Sequence, residues 1–281
     1  MSGTDRRRIA ALARLDLAEV LRSRWLLFSV ALYAALAGLF VLVGLRESTV
    51  LGFTGTGRVL LSVSHALVLL LPLLALIATG QLINRAREDG TLELLFSHPF
   101  SRHEYFIALT LVRFAVLFLP FAVLMLSAAA LCHLLLSSPV PWGMLVRSTA
   151  VCGALIWAFT GIGLVVSVVV RQPARAVLVL MSIWVLGTVL LDFGLIGLML
   201  RYRLHAPSVI VLAALNPVEA ARVALLGAAE PTLSVLGPVG FYLAHRLGSA
   251  WVLILGLASP IAVGTAAWCF ARRRFLGGDL V

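Results

Sequence analysis

The sequence predicts an all-α polytopic membrane protein, and three observations lead there. Mean hydropathy is +1.08 and only 12% of the 281 residues are charged, against about 25% in a soluble globular domain. Six apolar runs reach about the length that crosses a hydrocarbon core, at roughly 25–45, 59–81, 106–136, 144–170, 176–200 and 247–270. Arginines sort to alternate ends of these runs, with 14 on the side of the termini and six on the other. By the positive-inside rule, that asymmetry predicts a multi-pass protein with both termini cytoplasmic.

All 22 basic residues are arginine, and the formal net charge is +10. Lysine chemistry is thereby excluded, including a P-loop lysine, a Schiff base or a lysine general base. Because the positive charge flanks the spans, it reads as a topology signal, and no nucleic-acid partner is expected. The first apolar run is long and leads into further spans, so it reads as a signal anchor.

Residues 1–24 form a cytoplasmic preamble. Ile9, Leu12, Ala13, Leu17, Val20 and Leu21 recur at helical spacing with arginines largely elsewhere, which predicts an amphipathic helix in the membrane interface or packed on a partner. Residues 25–281 then form the six-span domain. The first span carries Ala31, Ala34, Ala35 and Gly38, small residues that permit close helix packing. Span two passes His65 and Pro72.

The second and third spans are separated by the polar stretch "RAREDGTLELLFSHPFSRHEYF", residues 85–106. Glu88 and Asp89 suit a helix N-terminus, and Leu92, Leu95 and Phe96 fall on one face of a short helix. Pro99 stops that helix at His98. Ser101 and Glu104 have the spacing of a capping box that starts the next span. A simple connector needs only a few residues. This longer stretch suits either a lever seated in a groove of a cytoplasmic partner or a helix lying on lipid.

Spans five and six are joined by residues 201–246, apolar but broken by Pro207, Pro217, Pro231 and Pro238. They predict short helices against the outer face, where irregular backbone must be satisfied by protein or water. In "ALNPVEAARVALLG", Asn216 is placed to cap a helix, Pro217 to occupy its first position and Glu219 its first turn.

The motif acidic–x–Gly–Thr–Leu–x–x–Leu–x–x–x–Pro–hydrophobic–Ser–Arg is filled here by Glu88, Gly90, Thr91, Leu92, Leu95, Pro99, Phe100, Ser101 and Arg102. It resembles the coupling helix of type 2 ABC transporter permeases. Segments 21–28, 51–77, 191–200 and 215–226 further resemble the permeases of transporters that mature nitrous oxide reductase. Arg85-Ala86-Arg87 departs from the pattern, in which carboxylate is more common there.

The resemblance implies an inner-membrane permease that works as a homodimer with two cytoplasmic ATPase subunits. It also implies a periplasmic β-helical partner and a role in assembling a copper–sulfur centre. Glu88, Asp89, Gly90, Thr91, Leu92, Leu95, Phe96, Pro99, Ser101 and Arg102 would couple to the ATPase, with residues 92–96 as the hydrophobic seat. ATP and magnesium would belong to the partner, and this chain would bind no cofactor of its own. The alternative is the same fold exporting a drug, a lipid or a peptide.

Asp192, Asn216 and Glu219 are candidates for a pathway or conformational switch. Asp192 stands out because a carboxylate within a span is costly unless it faces water or a partner such as Arg147. Cys132, Cys152, Met144, His65 and His133 are soft enough for Cu(I) but lack paired spacing, so packing is their default and no metal site is expected. No HExxH or GxSxG motif is present, and the chain is not expected to be an enzyme.

Overall fold

The computed structural model describes residues 3–22, 27–36, 38–39, 42, 56–97, 100–136, 139–190, 211–212, 214–229 and 248–278. These are almost entirely helical, with no strand among the described residues. The elements, in order, are α1 (Gly3–Arg22), α2 (Leu27–Leu36), α3 (Thr56–Thr79), α4 (Leu82–Glu88) and α5 (Thr91–Phe96). They continue with α6 (Arg102–Leu136), α7 (Trp142–Val169), α8 (Pro173–Val185) with a π-helical turn at Leu186–Leu190, α9 (Pro217–Ala229) and α10 (Gly248–Gly277).

Four stretches are long and apolar enough to cross a membrane: Ser62–Glu88, Arg102–Leu135, Trp142–Val169 and Ala250–Gly277. They match the second, third, fourth and sixth expected spans. The first and fifth are represented by the shorter apolar helices Leu27–Leu36 and Pro173–Thr188. The remainders of those two spans lie outside the described residues.

The bundle is organised around α7, whose apolar stretch is 83% buried. A helix that is apolar on every side can be enclosed by protein or by lipid, and here protein encloses it. Accordingly α7 packs against α3, α6, α8, α9 and α10. Leu71, Phe121, Met125, Leu155, Phe159 and Ala221 meet in its main core. By contrast, α6 and α10 are one-sided, exposing residues such as Leu119, Val123, Ile254 and Ile261.

One close crossing joins α7 to α10. A Cβ on Gly161 would collide with the backbone carbonyl of Gly264, and one on Gly264 would lie 2.8 Å from Ala158 Cα. Only glycine lets two helix backbones approach this far.

The N-terminal helix packs lengthwise on α6. Arg8 faces Glu104 at 3.9 Å, Asp16 meets Arg113 at 2.6 Å, and Val20 packs with Val112 and Val116. The near-constant offset between partners makes the two helices parallel and in step. Arg113, a lone arginine in an otherwise apolar run that would be expected to reach for the membrane surface, is instead paired with Asp16 across this interface. Burial raises the Asp16 carboxyl above its ordinary range, and Arg113 opposes that shift. The pair therefore fixes register at a desolvation cost and adds little net stability.

A double-mutant cycle checks this account. Asp16→Leu alone strands a mostly buried guanidinium and should cost about 3 kcal/mol or more of α1 docking, whereas Asp16→Leu with Arg113→Leu should recover most of it. Protease accessibility of residues 3–22 reads the difference.

Candidate functional site

The polar stretch between α3 and α6 folds as two short helices joined by a tight reversal. Gly90 sits at the turn with φ 68°, a left-handed conformation that costs an L-residue about 1–2 kcal/mol. Ahead of it, the amides of Asp89 and Gly90 donate to the carbonyls of Arg85 and Arg87 at 2.9 and 3.2 Å, closing α4. After α5, the Ser97 hydroxyl donates to the Leu94 carbonyl at 2.7 Å. The capping box at Ser101 is present in reciprocal form. The Ser101 amide donates to Glu104 Oε2 at 2.8 Å, and the Glu104 amide donates to Ser101 Oγ at 3.1 Å.

The apolar face of α5 exists, but it points into the protein. Leu92 is buried with Ile83, Phe106, Leu164, Ala271 and Phe275. Phe96 packs edge-on to Tyr105 at 5.8 Å and tilted against Phe275 at 6.5 Å. These two members of the expected hydrophobic seat pack on their own bundle, against Phe106 and Phe275. Leu95 is half-buried. The outward surface consists of Arg85, Glu88, Asp89, Thr91, Glu93, Leu94 and Ser97, with three carboxylates to one arginine, and Leu94 is 69% exposed. Pro99 lies outside the described residues.

Two hydrogen bonds fix this unit to the end of α7, and a third ties the start of α6 to the end of α10. The Ile83 amide donates to Ser167 Oγ at 2.7 Å. Arg87 Nη1 donates to the Val168 carbonyl at 3.1 Å, at the C-terminus of α7. Arg102 Nη1 donates to the Gly278 carbonyl at 2.8 Å, just past α10. Helix C-termini carry unpaired carbonyls and partial negative charge, so arginine is the complementary cap. An aromatic knot completes the attachment. Phe275 stacks on Phe106 at 5.5 Å, Phe106 packs on Trp268 at 5.9 Å, and Trp268 Nε1 donates to Thr110 Oγ1 at 3.1 Å.

Sequence reasoning missed Ser167, Trp268 and Phe275, because nothing in a one-dimensional pattern says which distant helix end a short amphipathic helix will meet. Arg87 did leave a signal, as half of the pair that departs from the motif.

Among the switch candidates, Asp192 lies outside the described residues. Asn216 is buried and caps α9 as expected, its Oδ1 accepting from the Val218 amide at 3.0 Å. Its Nδ2 also donates to the Gly187 carbonyl at 2.9 Å, within the π-helical turn after α8. One side chain thus starts one helix and ties down the end of another. Glu219 pairs with Arg222 one turn later, at 2.7 Å. No group of three or more metal-ligating His, Cys, Asp or Glu side chains occurs among the described residues.

The described residues thus form an all-helical bundle with four helices long and apolar enough to cross a membrane and a structured polar helix pair between two of them, an arrangement that fits the membrane component of a transporter. The profile of the ABC-2 family transporter proteins matches residues 10–275, and the chain belongs to that family. It is 30% identical over 271 residues to a Stutzerimonas stutzeri protein named "Probable ABC transporter permease protein NosY", covering 94% of this chain and 97% of the relative. A protein of the same name from Pseudomonas aeruginosa is 26% identical over 272 residues, covering 93% and 97%.

Asn216 can be dissected by two substitutions. Asn216→Asp keeps the cap acceptor but loses the bond to Gly187, and should cost about 1 kcal/mol; Asn216→Ala loses both and should cost about 2 kcal/mol. Thermal unfolding of the detergent-solubilised protein should rank them in that order.

Proposed function

We propose that this chain is the membrane half of an inner-membrane ABC transporter, paired with a second copy and driven by two separate cytoplasmic ATPase subunits. The observation that carries this reading is the α4–α5 unit. It presents a carboxylate-rich surface with one exposed leucine outward while being anchored inward to α6, α7 and α10. Such an element can receive force from a partner without absorbing it.

The mechanical sequence follows from the attachments. Closure of the ATPase pair on ATP and magnesium displaces α5. Leu92 and Phe96, with Arg87 and Arg102, pass that displacement to the cytoplasmic ends of α7 and α10. A 30-residue helix such as α10 is about 45 Å long, and its middle and far portions press on α7 at Gly264 and on α9 at Gly256. There Asn216 links α9 to the turn after α8. Motion applied at the cytoplasmic end is in this way delivered to the segment expected on the outer face. The chain supplies leverage and a pathway, and nucleotide chemistry belongs to the partner.

The cargo side of the proposal is maturation of the copper–sulfur centre of nitrous oxide reductase, with a periplasmic β-helical partner. It is supported by the resemblance of segments 21–28, 51–77 and 215–226, and by the near full-length similarity to the two NosY proteins. An exporter of a drug, lipid or peptide on the same fold would leave the coupling mechanism unchanged.

Leu94→Asp tests the coupling surface without touching the bundle, since an exposed substitution shifts stability by only about 0.5 kcal/mol. Co-expressed with its ATPase, the variant should co-purify poorly and lose permease-dependent ATP hydrolysis by about tenfold or more, as for an interface hot spot. Unchanged assembly and hydrolysis would refute the docking surface.

A further inference from the structure

An open groove of about 410 Å³ runs between α1 and α6. Leu17 and Leu21 form one wall, and Leu111, Ala115, Leu119 and Pro120 the other. The walls are entirely hydrocarbon, so water gains nothing by entering. Leu17, Leu21, Leu111 and Leu119 remain exposed beside it.

The charges on α1 are arranged around this groove. Arg7, Arg14, Leu17 and Leu21 are spaced seven, three and four residues apart, which puts them on one helical face. Arg7 and Arg14 are exposed, and neither has a carboxylate partner among the described residues. Of the acids on the second half of α1, Asp16 is committed to Arg113, and Glu19 lies well around the helix from Arg14. Because α1 and α6 run parallel, Arg14 stands one turn before Leu17, at the end of the groove nearer the start of α6. Cation and hydrocarbon trough are therefore in series, with the cation at the end that the proposed orientation puts in the cytoplasm.

We propose that this groove holds an acyl chain of an anionic phospholipid from the surrounding bilayer, with the headgroup phosphate paired to Arg14. A single arginine beside a slot for one chain selects a phosphate-bearing amphiphile with net negative charge, and Arg7 on the same face adds to that preference. The lipid would act as a removable filler between α1 and α6, completing an interface that the protein's own side chains leave open. The leaflet assignment rests on the orientation proposed above; the binding itself does not.

The test uses the full chain in vesicles of phosphatidylglycerol or of phosphatidylcholine with identical acyl chains. Each preparation carries a trace of the same lipid with a photoreactive group in its tail, and labelled peptides are mapped by mass spectrometry. Both leaflets are alike, so a wrong orientation leaves the result unchanged. Phosphatidylglycerol should label residues 17–21 and 111–120 above the level on the exposed residues Leu131 and Leu134 of α6, which serve as a reference for general lipid contact. Arg14→Gln should lower groove labelling about fivefold in phosphatidylglycerol and leave it unchanged in phosphatidylcholine. Ala115→Phe, which fills the groove, should remove the excess while preserving labelling at Leu131 and Leu134, showing that the bundle is intact. Equal labelling from both lipids, indifference to Arg14→Gln, or groove labelling no higher than at the reference residues would overturn the proposal. The last of these is also the result expected if a second protein chain covers the groove.

Discussion

Phe275 stacks on Phe106 at 5.5 Å, and the end of the bundle that carries α5 depends on that contact. Phe275 belongs to the last helix and Phe106 to the third expected span, elements separated by most of the chain. Around the pair gather Phe96 and Tyr105, while Trp268 packs on Phe106. Aromatic contacts of this kind combine a large buried area with an orientation preference, so they set an angle as well as a distance. Without the stack, α5 would lose much of the apolar surface it closes on, keeping Ile83, Leu109, Leu164 and Ala271, and the direction of its outward residues would be less sharply set.

From this knot the constraints run along α10. Gly264 allows its backbone to touch α7, and Gly256 allows it to touch α9, where an added Cβ would fall 2.8 Å from the Ala220 carbonyl. Side chains can change rotamer, but backbone-to-backbone contacts have no slack to absorb a displacement. In the account proposed here, α10 thus links a cytoplasmic attachment to an outer segment, with Pro260 between its two glycine contacts. The arginine caps from Arg87 and Arg102 stop the helix ends from sliding past one another.

The coarse architecture was legible because it follows from strong, local signals. Hydropathy and arginine placement located four stretches that the structure finds long enough to span a membrane. The Ser101–Glu104 capping box and the Asn216 cap were readable because a helix start is specified by residues three or fewer positions apart. What could not be read was direction. Leu92, Leu95 and Phe96 of α5 were grouped on one face, and the structure turns Leu92 and Phe96 inward together, but which surface that face meets is decided by Phe106, Ala271 and Phe275, contributed by two distant helices. Arg113 shows the same limit. A lone arginine in an apolar run reads as snorkelling until the fold brings Asp16 beside it. The second role of Asn216, toward the Gly187 carbonyl, was equally invisible, since its two partners belong to different helices.

The central claim is that α5 and the cytoplasmic end of α10 move as one body during the ATPase cycle. The most direct measurement replaces Ser97, at the end of α5, and Leu276, on α10, both exposed and outside the aromatic knot, with cysteine in a chain whose own three cysteines, Cys132, Cys152 and Cys269, are changed to serine. The pair is then joined with a short bifunctional thiol reagent, and coupled ATP hydrolysis is compared before and after. The account predicts that cross-linking leaves hydrolysis at the level of the unlinked double variant. Loss of hydrolysis on cross-linking, with complex assembly retained, would show that α5 must move relative to α10 and would contradict it.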